Sequence, residues 1–145
     1  MQVRPLFFVV RGREFAFFAG RARVCKGVAR ILIIDDDQEV VATLGLALQG
    51  AGHEVVLAAD GREGMEKHSA KPADLIITDL FMPGQEGLET IQKLRKESPE
   101  VPIIAMSGAD SANTMLNIAS KMGAAKVLRK PFDIKELMDA IEEAL

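Results

Sequence analysis

The sequence predicts an α/β domain wound around a five-stranded parallel sheet, and three observations carry that expectation. From residue 29 onward five short apolar runs alternate with segments of helical periodicity. The central runs are apolar throughout, as befits strands buried on both faces, rather than alternating apolar and polar. Four of the runs also end on a polar residue. Strand–helix alternation builds βαβ units with right-handed crossovers. In such open sheets the working site lies beyond the carboxyl ends of the strands, where the strand order reverses.

Each element can be read in turn. Ile31–Ile34 is the first apolar run. Val40, Leu44, Ala47, Leu48 and Ala51 then recur at helical spacing, with Asp37 as the cap and Gly52 placed to stop the helix. Val55–Ala59 is the second strand, and Asp60 opens a short, weakly periodic helix through "GREGMEKHSA". "DLIITDL" centres the third strand on Leu75–Ile77 and ends it at Thr78 or Asp79. "FMPGQEG" is a loop by its proline and glycines, and the helix after it turns Leu88, Ile91 and Leu94 inward. Ile103–Met106 is the fourth strand, followed by a helix carrying Met115, Ile118, Ala119 and Met122. Val127–Leu128 is a brief fifth strand. The last helix places Ile134, Leu137, Met138, Ile141 and Leu145 on one side.

Composition narrows the function. With 145 residues, 48% apolar and 27% charged, the chain holds one sizeable core. Residues 1–28 carry six Arg/Lys against Glu14, whereas residues 29–145 carry twenty acids against twelve bases. An acidic domain of this kind does not advertise nucleic-acid binding. Cys25 is the sole cysteine, which excludes an internal disulfide and a cysteine metal cage. No apolar run reaches the length of a transmembrane helix, so a cytoplasmic location is the default expectation. His53 and His68 lack ligand partners at useful spacing and are read as structural.

The polar residues at the strand exits form a set. Asp35, Asp36 and Asp37 follow the first strand, Asp79 the third, Ser107 the fourth and Lys130 the fifth. Singly, each has a plain reading as a cap, turn or bend. Together they match phosphoryl transfer. Clustered carboxylates stay ionised side by side only with a cation, and all-oxygen ligation suits Mg²⁺. A carboxylate can itself be the nucleophile. Lys130 and the Ser107 hydroxyl would then meet the incoming phosphoryl oxygens.

"ILIIDDD", "DLIITDLFMPGQEGLE", "IIAMSG" and "VLRKPF", in that order and spacing, resemble the receiver domain of two-component response regulators over residues 29–145. The resemblance implies the flavodoxin-like strand order 2-1-3-4-5 with helices on both faces. It implies Asp79 as phosphoacceptor, with Asp35, Asp36, Asp79 and the Phe81 backbone carbonyl as Mg²⁺ ligands. Ser107 would follow the phosphoryl group, and Lys130 would be joined to Pro131 by a cis peptide. The implied donor is a phosphohistidine on a sensor kinase or a histidine phosphotransfer protein. The receiver would catalyse only its own phosphorylation and dephosphorylation, and it would signal to a downstream protein target by switching a binding surface. No DNA-binding segment or transmembrane segment is predicted, and dimerisation is left open.

Three positions depart from the family pattern. Val127 stands where a Tyr or Phe commonly swings inward, while Phe81 and Ala109 are apolar where many relatives are polar. Slow loss of the phosphoryl group is the expectation, since neither side chain can orient water. A haloacid-dehalogenase-like phosphohydrolase is the competing reading, because Asp35-x-Asp37, Ser107 and Lys130 echo its motifs. That reading needs acids downstream of the lysine for metal, and Asp133 and Asp139 belong to the last helix. Residues 1–28 form a separate basic extension holding five of the seven phenylalanines. A hairpin through "LFFVVRGREFAFFAG", a disordered tail, or a start assigned too early, with Val28 as initiator, are the expectations for it.

Overall fold

Five apolar runs pair side by side because their backbones, once stripped of water, can find hydrogen bonds only in one another. A computed structural model of the chain describes residues 6–10, 13–18, 21–24, 28–82, 86–108 and 112–145. The parallel sheet comprises β4 (Arg30–Ile34), β5 (Glu54–Ala58), β6 (Leu75–Asp79), β7 (Ile103–Ser107) and β8 (Lys126–Arg129). Their order is β5-β4-β6-β7-β8, which is the predicted 2-1-3-4-5 counted within the domain. The central strands β4, β6 and β7 are buried along their whole length.

Alternate residues of these strands face two separate cores. Ile31, Ile33, Ile77 and Met106 pack beneath α1 (Gln38–Gly50) and α5 (Ile134–Ala144). Leu32, Ile34, Ile76 and Ala105 pack on the other side, beneath α2 (Gly61–Ala70), α3 (Glu86–Glu97) and α4 (Ala112–Lys121). Each Ile, Leu or Met among them contributes about 1.5–3 kcal/mol by leaving water. Two helices begin at the caps the sequence predicts, Asp37 and Asp60, and the last begins at Asp133, which the sequence reading placed in the helix itself. Asp37 accepts from the N–H groups of Glu39 and Val40, Asp60 from Glu63, and Asp133 forms a reciprocal box with Glu136.

Some boundaries differ from expectation. The second strand starts one residue earlier, at Glu54, and the last is four residues long rather than two. Both are edge strands, half exposed, so their apolar signal is diluted. The first helix buries Val41, Leu44, Gly45 and Leu48, a face rotated slightly from the expected one.

The extension also holds more than a hairpin. Its strands β1 (Leu6–Val10), β2 (Arg13–Phe18) and β3 (Arg21–Val24) form a separate antiparallel sheet in the order β1-β2-β3. The third strand, "RARV", has too little apolar alternation to be seen in the sequence.

Both histidines are structural, as expected. His53 Nδ1 accepts from the Ala29 N–H at 3.2 Å. His68 Nδ1 accepts from the buried Ala73 N–H at 3.0 Å, and its Nε2 lies 3.0 Å from Ser98 Oγ. With Nδ1 an acceptor, Nε2 carries the proton and donates to Ser98, which ties α2 to the end of α3. Replacing His68 by Leu keeps the bulk but leaves the Ala73 N–H unpaired. We expect a loss of about 1–3 kcal/mol, read as a lower urea midpoint at unchanged slope.

Candidate functional site

Parallel pairing brings the carboxyl ends of four strands to one edge. Ile34 pairs with Thr78, Asp79 with Met106, and Ser107 with Arg129, so the residue that follows or ends each strand meets its neighbours there. The Leu80 N–H donates to the Met106 carbonyl and the Lys130 N–H to the Ser107 carbonyl, extending the ladder just past the strands. The predicted residues Asp35, Asp36, Asp79, Ser107 and Lys130 all lie at this edge.

Asp35, Asp36 and Asp79 each offer a carboxylate oxygen, and these atoms lie within 4.8 Å of one another. Asp35 is 1% exposed and Asp79 5%, whereas Asp36 faces solvent. Asp35 Oδ1 accepts from the Asp37 N–H at 3.0 Å, which fixes its carboxylate against the start of α1. Asp79 Oδ1 accepts from the Phe81 N–H at 3.3 Å. Lys130 reaches in from the end of β8, with Nζ 2.9 Å from Asp35 Oδ2 and 3.6 Å from Asp79 Oδ2. Ser107 is fully buried, and its Oγ has no hydrogen-bond partner among the described residues.

Electrostatics follow from that crowding. Burial, and next the charge of Asp35, push the Asp79 carboxyl up to about 6 from 3.8, with Lys130 and the Phe81 N–H only partly offsetting them. Burial pulls the Lys130 ammonium down, yet its bond to Asp35 and the charge of Asp79 leave it above its ordinary value. Lys130 is therefore a fixed cation, and Asp79 is the carboxylate of raised basicity beside it.

Two glycines make the approach possible, and the sequence reading missed both. A Cβ at Gly87, in the first turn of α3, would lie 2.5 Å from the Asp79 carbonyl oxygen and from Leu80 Cα. One at Gly108 would lie 3.0 Å from Lys130 Cβ. A glycine inside the first turn of a helix was the only available signal. Phe81 is 63% exposed at the rim of the site. The Lys130–Pro131 peptide is cis, as expected. Ala109 lies outside the described residues.

The family model of the response regulator receiver domain matches residues 31–142. The chain belongs to that family. Its receiver is 38% identical over 117 residues to the DNA-binding transcriptional regulator NtrC of Azospirillum brasilense, covering 81% of this chain and 24% of that protein. The chain thus spans about a quarter of the length of that regulator. Among solved structures, a CheY-like receiver domain protein from Methanospirillum hungatei JF-1 matches with TM-score 0.75 at 30% identity, covering 81% of this chain and 93% of that one. The chemotaxis protein CheY4 of Vibrio cholerae matches with TM-score 0.75 at 31% identity, covering 82% and 100%. The domain is a phosphoacceptor receiver of two-component signalling. The hydrolase alternative finds no support: Asp133 caps α5 and Asp139 pairs with Lys135 at 3.0 Å, away from the acidic cluster. Among the described residues no helix is long and apolar enough to cross a membrane.

The raised Asp79 pKa has a stability consequence. Because the folded value lies above the unfolded one, the ionised carboxylate destabilises the native receiver. The cost is absent well below 3.8, grows as the pH climbs, and is complete above about 6. With chelator present, Asp79→Asn should therefore be more stable than the parent at neutral pH, by on the order of 1 kcal/mol after solvent screening. Paired thermal melts should show that gap narrowing toward pH 4, and equal midpoints at both pH values would contradict it.

Proposed function

We propose that residues 29–145 work as a phosphorelay receiver in which Asp79 accepts the phosphoryl group, with residues 1–28 a separate extension. The convergence of Asp35, Asp36 and Asp79, with the Lys130 ammonium against Asp35 and Asp79, carries this reading. The donor set fits a hard divalent ion, since three carboxylates with no sulfur or imidazole among them match the oxygen preference of Mg²⁺. Asp35, Asp36 and Asp79, with the Phe81 carbonyl, would hold it. When bound, Mg²⁺ would neutralise the cluster and polarise the transferring phosphoryl group.

The chain's own residues do the rest. An Asp79 Oδ attacks phosphorus, the bond from phosphorus to the donor's histidine nitrogen breaks, and the imidazole leaves with the bonding electron pair. Lys130 places its ammonium on a phosphoryl oxygen as charge shifts there. Ser107 donates its hydroxyl to a second oxygen, giving the buried Oγ its partner. That new bond draws the end of β7 and the following loop inward. The movement biases an equilibrium between two states of the face formed by α4, β8 and α5, where a downstream protein docks. The donor is a phosphohistidine on a sensor kinase or a phosphotransfer protein, and the setting is the cytoplasm.

Incubation with a small acyl phosphate and Mg²⁺, followed by intact mass, tests the assignment. One added phosphoryl group is expected in the parent and none in Asp79→Asn. Uptake that persists in Asp79→Asn would overturn the assignment.

Hydrolysis of the acyl phosphate is slow on this reading. Exposed Phe81 stands beside the phosphoryl position and has no polar atom to orient water. Phe81→Asn should shorten the lifetime of the phosphorylated form severalfold, up to about 10²-fold, the low end of general-base assistance. An unchanged half-life after desalting would contradict this.

A further inference from the structure

The buried strand β6 carries one hydroxyl among its apolar side chains. Thr78 is fully buried, paired with Ile34 on one side and Ala105 on the other. Both partners belong to the core beneath α2, α3 and α4, and alternation along the strand turns Thr78 toward that same core. Valine, with the same branched shape and strand preference, would sit there without a polar group to desolvate. The hydroxyl is a cost to the fold unless it makes a bond that matters.

The bond it makes is to the phosphoacceptor. Thr78 Oγ1 donates to the Asp79 main-chain carbonyl at 3.2 Å. That carbonyl stands one step past the β4–β6 ladder, whose last pair is Ile34 and Thr78. The same peptide unit is held at its other end, where the Leu80 N–H donates to the Met106 carbonyl at 2.8 Å. Gly87 lies against it as well, since a Cβ there would be 2.5 Å from the Asp79 oxygen and from Leu80 Cα. The Asp79–Leu80 peptide is thus gripped at its oxygen, at its N–H and along one side.

This peptide joins the Asp79 carboxylate to Phe81, whose N–H donates to Asp79 Oδ1 at 3.3 Å. A planar peptide turns as one body. Any rotation that lets its carbonyl drift also swings the Phe81 main chain away from the carboxylate.

We propose that Thr78 is a positioning residue for phosphoryl transfer. Through the Asp79–Leu80 peptide, its hydroxyl aligns the Asp79 carboxylate with the Phe81 main chain. The proposal rests on the reading of Asp79 as phosphoacceptor and of the Phe81 carbonyl as an ion ligand. Alignment of this kind acts on the rate of transfer and on the hold on Mg²⁺, rather than on the binding of the donor.

Two variants at one position separate the hydroxyl from packing. Thr78→Ser keeps the donor and deletes a buried methyl, whereas Thr78→Val keeps the branched shape and deletes the donor. Both should lower the urea midpoint, the first through the lost methyl and the second through the carbonyl that loses its donor. Only one should be slow. In single-turnover uptake from a small acyl phosphate at saturating Mg²⁺, Thr78→Val should lose roughly tenfold in maximal rate, with the half-saturating donor concentration unchanged. Thr78→Ser should stay within about twofold of the parent. Calorimetric titration with Mg²⁺ alone should show the same order, with Thr78→Val binding severalfold more weakly than the other two.

A parental value for Thr78→Val in either measurement would overturn the proposal. Losses in both variants that follow their urea midpoints, as a role in packing alone predicts, would overturn it too. A parent that takes up no phosphoryl group, or an Asp79→Asn that does, would sink the phosphoacceptor reading instead. The Mg²⁺ titration would in that case still decide whether the Thr78 hydroxyl aligns the cluster.

Discussion

Three carboxylate oxygens held within 4.8 Å of one another are the constraint on which the rest of this molecule depends. At such distances each ionised pair costs roughly 3–4 kcal/mol even at an effective dielectric near 20. A flexible chain would relax by moving the groups apart. Here they cannot separate, because Asp35 and Asp79 continue strands that are buried to their last residue and packed on both faces. The hydrophobic sheet supplies the energy that keeps like charges together. Lys130 relieves part of the repulsion and locks the fifth strand's exit to the first's. Burial first, and the charge of Asp35 next, still leave the Asp79 carboxyl raised. A site under this tension favours any ligand that brings positive charge, and it makes one of its own carboxylates a better nucleophile.

Rigidity of the surroundings matters as much as the acids. The first turn of α3 lies so close to the Asp79 backbone that a methyl group at Gly87 would meet the Asp79 carbonyl oxygen. Ala would otherwise be preferred over Gly in a helix by about 1 kcal/mol. The helix gives up that preference to seat its start on the strand end. Gly108 has the same relation to the stem of Lys130. The two groups that face each other across the site are thus each backed by a residue without a side chain.

These relations explain what the sequence could and could not reveal. Ile31–Ile34, Leu75–Ile77 and Ile103–Met106 were legible because burial on both faces leaves an unbroken apolar run. Asp37 and Asp60 were legible as caps because capping is local chemistry, while Asp133 was read only as part of the last helix it caps. The site was legible as a set, since the parallel topology sends every strand exit to one edge. Edge strands read less well: only one face of β8 is half buried, so Lys126 and Arg129 fell outside the short apolar run Val127–Leu128. Gly87 and Gly108 were opaque, because a close approach between segments distant in sequence leaves no periodic trace. The third strand of the extension was hidden for a different reason, since alternating Arg with Ala and Val does not resemble a core strand.

The buried Ser107 hydroxyl completes the physical picture. Among the described residues its Oγ meets no hydrogen-bond partner, and a buried hydroxyl so placed costs about 1–3 kcal/mol. Its nearest sheet neighbour, β8, carries Val127, which is short, stiff at χ1 and 39% exposed, so no aromatic ring is available to swing into space left by a moving loop. A link that needs no ring is present at the same strand end. Arg129 is placed to carry it. It pairs with Ser107 in the β7–β8 ladder, and its guanidinium donates to Asn113 in the first turn of α4 at 3.1 Å. On the proposed mechanism, a Ser107 hydroxyl bonded to the phosphoryl group would shift the strand end to which Arg129 is paired, and Arg129 links that strand end to α4. That link runs through the β7–β8 ladder and one exposed side-chain bond, with Val127 on the neighbouring strand instead of a ring.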